Sequence, residues 1–174
     1  MAKNVGKIFE DDFKKSVPEY ALLYRLPDPA QSFGGGNKLR FSRKNPFDYM
    51  LWDSKRHILY ALELKTVSGK SISFEREKDD TGVIHYYQEK GLKEWDSFDG
   101  TVCGFVIQFR ELEKTIFLDI KDFDKLINII SKKSFSFNDL SNNNIKYTII
   151  SQHKKISRYN YDIDNFLTNK SEVL

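Results

Sequence analysis

The stretch from Thr101 to Phe109 is the feature of this sequence that most restricts its fold. It is apolar at nearly every position, which is the pattern of a strand buried on both faces. Such a strand lies inside a sheet rather than at its edge, and other elements must cover the sheet. We therefore expect an α/β protein in which helices flank a central sheet.

The neighbouring patterns predict the elements around this strand. Val5, Ile8, Phe9 and Phe13 recur at helical spacing and predict a first helix over 4–16. Strands are expected over 20–26, 47–52, 57–65 and 114–120, and helices over 83–95 and around 123–130. The tail has one β-like run at 145–150 and a weak helical pattern at 162–167. The order α-β-β-β-α-β-β-α predicts a mixed β-sheet flanked by helices.

Length and composition limit the domain count and the class of protein. A chain of 174 residues suits one domain, which we place at 1–131, with an Asn-, Ser- and Lys-rich C-terminal extension at 132–174 packed on it. No apolar run approaches the roughly 20 residues of a membrane span, the N-terminus lacks a signal-peptide pattern, and Cys103 is the single cysteine. We expect a cytoplasmic protein without a membrane partner.

The charges are unevenly distributed. Lys and Arg number 28 against 25 Asp and Glu, a net charge of +3 that is too small to identify a partner. However, the loop at 31–45 contains no acid; it carries three consecutive glycines followed by Lys38, Arg40, Arg43 and Lys44. Flexible cationic segments commonly bind phosphate backbones, although a solvated surface loop is the alternative.

Three charged residues stand out within the predicted hairpin. Glu63 and Lys65 are two residues apart, so they project from the same face of one strand. Asp48 lies in the preceding strand, where the hairpin turn near 54 and 55 brings it opposite 61–63. Two converging carboxylates repel unless one is protonated or a cation lies between them, and oxygen ligands suit Mg²⁺ or Mn²⁺. The alternative is a structural ion pair at a sheet edge.

These residues carry a resemblance to a known family. The segments 46–48 and 63–65, separated by fourteen intervening residues, resemble the motif of PD-(D/E)XK nucleases. With the segments 6–13, 27–29, 47–49 and 85–88, they occur in the order and approximate spacing of RecU-like Holliday junction resolvases. The resemblance spans about 6–120 and implies a restriction-endonuclease-like core of order α-β-β-β-α-β. Pro46 stands where that family usually has a metal-binding threonine.

The resemblance also implies roles for individual residues. Asp48, Glu63 and Gln88 correspond to metal-binding positions, Lys65 to the residue that stabilises the transition state, and Glu10 to a catalytic glutamate near the metal. Cationic side chains around this set are our candidates for DNA contacts: Arg25, Lys38, Arg40, Arg43, Lys44 and His85. For Glu10 and His85 an ordinary surface position is the alternative, and Arg25 could instead pair with Asp28.

The implied function is a metal-dependent endodeoxyribonuclease that acts in DNA recombination and repair. It would bind branched DNA as a homodimer and resolve four-way junctions by paired phosphodiester hydrolysis, using Mg²⁺ or Mn²⁺, in the cytoplasm of a bacterial or phage-infected cell. Two alternatives stay open. One is a PD-(D/E)XK DNA nuclease without junction preference, and the other, which Pro46 keeps open, is a catalytically inactive DNA-binding domain.

Overall fold

A computed structural model of the chain describes residues 4–27 and 44–171. The helices and strands of these ranges are, in chain order, α1 Val5–Lys15, β1 Ala21–Arg25, β2 Tyr49–Asp53, β3 Ile58–Val67, β4 Ser71–Ser73, α2 Tyr86–Asp96, β5 Thr101–Phe109, β6 Lys114–Asp119, α3 Ile120–Ile129, β7 Ser134–Ser136, α4 Phe137–Asn142, β8 Thr148–Ile150, β9 Gln152–Lys155, β10 Arg158–Tyr161 and α5 Ile163–Ser171.

The central sheet has six strands in the order β1-β2-β3-β5-β6-β8. Only β3 and β5 pair in parallel, and α2 lies in the crossover between them; the other neighbours are antiparallel. The mostly apolar segment is β5, which is buried from Val102 to Phe109 and has a neighbour on each side. The predicted mixed sheet flanked by helices is confirmed.

Two hydrophobic cores cover the two faces of the sheet. On one face Phe105 of β5 packs against Phe123 of α3, with ring centroids 4.9 Å apart. On the other face Phe9 of α1 contributes to a core that α5 also covers. Residues of β3 alternate between them: Ala61 belongs to the first core, and Leu62 belongs to the second. The alternation continues to the end of β3, so Glu63 and Lys65 lie on the face that α2 covers.

The structure differs from the sequence prediction at one helix and at several short strands. Helix α2 begins at Tyr86 rather than near 83, because the N–H groups of Val83 and Ile84 donate to the carbonyl of Ser73 in an extended segment. The pairs β4–β7 and β9–β10 were not predicted. Strands of three or four residues are too short to show a clear alternation.

The residues after 131 contribute to the sheet and to both faces. Strand β8 hydrogen-bonds to β6 and so forms one edge of the central sheet, while β7 pairs with β4. The β9–β10 hairpin packs on α1, and α5 packs on β8. None of the helices in the described ranges is both long and apolar enough to cross a membrane.

Candidate active site

The β2–β3 hairpin brings the two predicted carboxylates together. Tyr49 pairs with Leu62, and the N–H of Asp48 donates to the carbonyl of Leu62 at 3.2 Å, so Asp48 lies opposite Glu63. Oδ2 of Asp48 accepts the backbone N–H of Leu64 at 3.0 Å. This position agrees with the predicted one, because a tight turn determines the register of the two strands that it connects.

Burial makes this pair of carboxylates electrostatically unusual. Glu63 is only 2% exposed, and burial, with a further contribution from Asp48, raises its pKa to about 8 although Lys65 opposes the shift. Burial also raises the pKa of Asp48, against the hydrogen bond from Leu64. Nζ of Lys65 lies 2.8 Å from Oε1 of Glu63. A proton, an ammonium and a metal ion would therefore compete for the same carboxylate.

Helix α2 supplies the third predicted metal-binding residue. Gln88 is buried; its Nε2 donates to Oε1 of Glu63, and its Oε1 accepts the N–H of His85 at 2.9 Å. The bond from His85 is part of the cap of α2, and the two bonds together orient the amide. In this arrangement Gln88 directs its NH₂ group toward Glu63. Its role as a metal ligand stays a prediction.

A close contact between Pro46 and α2 determines how near the helix lies to Asp48. A Cβ atom added to Gly91 would lie 2.2 Å from Cβ of Pro46. Any larger residue at 91 would therefore move α2 away from the start of β2. Pro46 offers no side-chain oxygen, but it packs directly against the helix that carries Gln88.

His85 and Lys44 lie at the rim of the site. Nδ1 of His85 is 2.7 Å from Oε1 of Glu75, whose Oε2 accepts the N–H of Tyr86 at 2.9 Å. The ring of His85 stacks on Tyr87 at 5.4 Å, and Nζ of Lys44 lies 4.6 Å from the centre of the same Tyr87 ring. Sequence reasoning missed Glu75, because it follows a three-residue strand within a run of charged residues that reads as surface.

Glu10 and Arg25 belong to a separate cluster on the α1 side of the sheet. Oε2 of Glu10 accepts the hydroxyl of Tyr49 at 3.0 Å and lies 3.5 Å from Nε of Arg25. Tyr49 belongs to the core beneath α1, whereas Asp48 and Glu63 border a cleft under α2. The catalytic role of Glu10 and the DNA contact of Arg25 stay predictions. Asp28, the alternative partner of Arg25, lies outside the described residues.

The remaining DNA-contact candidates are only partly described. Lys38, Arg40 and Arg43 lie outside the described residues. Lys44 lines a cleft of about 220 Å³ together with Asp48, Glu63, Tyr87 and Gln88. One cation of the predicted basic loop thus lines the candidate site.

The donor set determines which metal ion the site could accept. In the described parts of the chain, no group of three or more His, Cys, Asp and Glu side chains is arranged to hold a metal ion. Asp48 and Glu63 supply two carboxylates. Mg²⁺ commonly binds one or two carboxylates and completes its shell with water and substrate phosphate, so the pair fits Mg²⁺ and does not fit a closed site built only from protein ligands.

Comparison with known proteins identifies one curated relative of undetermined activity. The chain is 34% identical over 134 residues to the SPbeta prophage-derived uncharacterized protein YotM of Bacillus subtilis (strain 168). The match covers 76% of this chain and 64% of the relative. No protein-family model matches the chain. The chain is therefore similar to a protein carried by a bacterial prophage.

Proposed function

We propose that this protein is a metal-dependent DNA endonuclease with a restriction-endonuclease-like core, similar to the RecU-like Holliday junction resolvases. One observation carries the proposal: the buried carboxylate of Glu63 lies beside Asp48 and within 2.8 Å of Lys65. Carboxylates with raised pKa values are costly for stability, and they occur preferentially at functional sites. The similarity to a prophage protein is compatible with an enzyme that processes DNA in a phage-infected cell.

Each side chain of the site has a chemical role in this proposal. Asp48 and Glu63 would hold Mg²⁺ or Mn²⁺, which would supply a nucleophilic water and a Lewis acid for the phosphodiester. Lys65 places a positive charge on the same face, where negative charge develops on the phosphate. Gln88 orients Glu63 through the NH₂ group described above. Lys44 lines the cleft, where it would bind a phosphate of the DNA backbone.

Junction selectivity and dimerisation are further parts of the proposal. Resolution of a four-way junction requires two symmetrical nicks, which a two-fold symmetric homodimer would provide. A nuclease without junction preference would use the same four side chains, because selectivity depends on loops and on dimer geometry. An inactive DNA-binding domain is less compatible with a carboxylate pair held beside a lysine at a structural cost.

The proposal is tested by cleavage of matched substrates. Synthetic four-way junctions and linear duplexes of the same arm sequence are incubated with the protein in Mg²⁺, in Mn²⁺ and in EDTA. We expect paired nicks in the junction with either metal and none in EDTA. Equal cutting of the linear duplex would exclude junction selectivity and leave a general nuclease.

Substitution of the carboxylates identifies the site. We expect Asp48→Asn and Glu63→Gln to reduce cleavage by about 100-fold or more, while binding to the junction is retained. Glu111→Gln is the matched control, because Glu111 is an exposed glutamate outside the cleft. Full activity in either site variant would show that this carboxylate pair is not the metal site.

A further inference from the structure

The β9–β10 hairpin is a cationic projection outside the candidate active site. The segment 152–161 contains Lys154, Lys155 and Arg158 and no acid. Lys155 and His153 are exposed, and neither has an ion-pair partner among the residues that the structure describes. Lys154 is paired with Glu113 and Arg158 with Asp12, so Lys155 is the lysine of the hairpin whose charge stays uncompensated among the described residues.

The tip of this hairpin carries an isoleucine in an unfavourable position. Ile156 is 99% exposed, and its φ of 53° is in the left-handed region. A β-branched residue rarely adopts this conformation, whereas glycine and asparagine adopt it readily in two-residue turns. Ile156 thus buries no surface within the described chain and strains the turn. Strained residues of this kind cluster at functional positions.

Contacts with α1 anchor the base of the hairpin. Asp12, which is 3% exposed, accepts Nε of Arg158 at 2.5 Å and the N–H of Tyr159 at 2.9 Å. The ring of Tyr161 packs against Phe9, with centroids 5.6 Å apart. These contacts hold the base of the hairpin in place before any partner binds, which lowers the entropic cost of binding.

The hairpin stands at the end of the sheet that carries Lys65. Nε2 of Gln108 in β5 donates to the hydroxyl of Tyr161 at 2.8 Å, and Thr66, next to Lys65 in β3, donates to Oε1 of Gln108 at 2.9 Å. The hairpin lies on the α1 side and the candidate site on the α2 side. The base of the hairpin is thus linked by hydrogen bonds to the strand that carries the candidate site.

We propose that the β9–β10 hairpin is a second DNA contact, in which Lys155 binds backbone phosphate and Ile156 packs against unstacked bases at a branch point. This inference rests on the proposed function, since it takes the substrate to be DNA. Apolar side chains that enter base steps, with cations beside them on the phosphates, are an established mode of recognising distorted DNA. The uncompensated charge of Lys155 complements a polyanion.

The test uses the full chain without added divalent metal, so that binding is measured separately from cleavage. Fluorescence anisotropy gives the affinity for a four-way junction and for a linear duplex, and 2-aminopurine placed at the branch point reports unstacking. We expect Ile156→Gly to weaken junction binding about tenfold and to abolish the 2-aminopurine signal, while duplex binding is unchanged. The melting temperature of this variant should rise, because glycine relieves the strained turn. Lys155→Gln should weaken binding to both DNA substrates. It should also lower the slope of log affinity against log salt concentration by about one.

Two control variants and three outcomes decide the inference. Lys125→Gln removes a lysine on α3, and Phe98→Ser removes an exposed apolar residue after α2; neither should change binding. Wild-type junction affinity and branch-point signal in Ile156→Gly would overturn the contact, even if the protein cleaves junctions as proposed. A wild-type protein that binds no DNA would overturn both proposals. Binding without cleavage would reject only the proposed nuclease.

Discussion

Nζ of Lys65 lies 2.8 Å from Oε1 of Glu63, the same oxygen that accepts a hydrogen bond from Gln88. The two residues are neighbours on one face of β3, and the side chain of Lys65 is largely shielded from solvent. The ammonium thus holds a position beside the carboxylates that a metal ion would also favour. It neutralises part of the charge that Asp48 and Glu63 place in the cleft.

Removal of this ammonium should separate metal binding from catalysis. We expect Lys65→Met to bind Mn²⁺ several-fold more tightly at pH 8, because a competing positive charge is lost. Cleavage should fall about 100-fold, because charge on the phosphate is no longer stabilised. Calorimetric titration with Mn²⁺ and single-turnover cleavage measure the two effects. Lys70→Met, at an exposed lysine, is the control; weaker Mn²⁺ binding in Lys65→Met would contradict the competition.

The raised pKa of Glu63 predicts how stability depends on pH. Its pKa is about 8 in the folded chain against 4.5 for an ordinary glutamate, so the folded state retains a proton that the unfolded state releases. The contribution of Glu63 to stability is therefore fully present below pH 4.5 and is lost as pH rises through about 8. In Glu63→Gln this loss should disappear. At pH 8.5 the free energy of unfolding of the variant should exceed that of the wild type by about 1–2 kcal/mol.

Urea unfolding in EDTA at pH 4.5 and at pH 8.5 measures this difference. Glu111→Gln, at an exposed glutamate, should leave the pH dependence unchanged. If Glu63→Gln and wild type lose the same stability between the two pH values, the carboxyl of Glu63 does not carry the proton.

Gly91 should tolerate no side chain, although alanine is the better helix former. A Cβ atom at this position would lie 2.2 Å from Cβ of Pro46, so we expect Gly91→Ala to destabilise the protein by about 1–3 kcal/mol and to lower cleavage. Gly6→Ala in α1 is the matched control, because its nearest neighbour would lie at 3.4 Å. That variant should be unchanged or more stable by up to about 1 kcal/mol. Equal thermal stability of the two variants would exclude the close contact.

Asp12 should be essential for the position of the β9–β10 hairpin. The carboxylate is buried and accepts both Arg158 and the backbone of Tyr159, so Asp12→Asn would leave the guanidinium without its counter-charge. We expect a loss of about 2 kcal/mol in unfolding free energy, and increased hydrogen exchange at the amides of β9 and β10. Asp11→Asn, at the exposed neighbour, should change neither. Unaltered exchange in Asp12→Asn would show that other contacts hold the hairpin.

The positions of Asp48, Glu63 and Lys65 were predictable from the sequence alone. Strand alternation and the short connection between β2 and β3 are local properties, and together they determine the register and the face of each side chain. The interior position of β5 followed from its composition in the same way. The same reasoning missed the shortest strands, where three or four residues carry too little pattern.

Only the tertiary structure decided what surrounds these three residues. The bond from Gln88 to Glu63, the contact of His85 with Glu75 and the ion pair of Arg25 with Glu10 each join different segments of the chain. No local pattern encodes such distances, because they depend on how α1 and α2 pack on the sheet. The pKa of Glu63 has the same origin: its dominant cause is burial, and burial exists only once the hydrophobic cores have formed around β3.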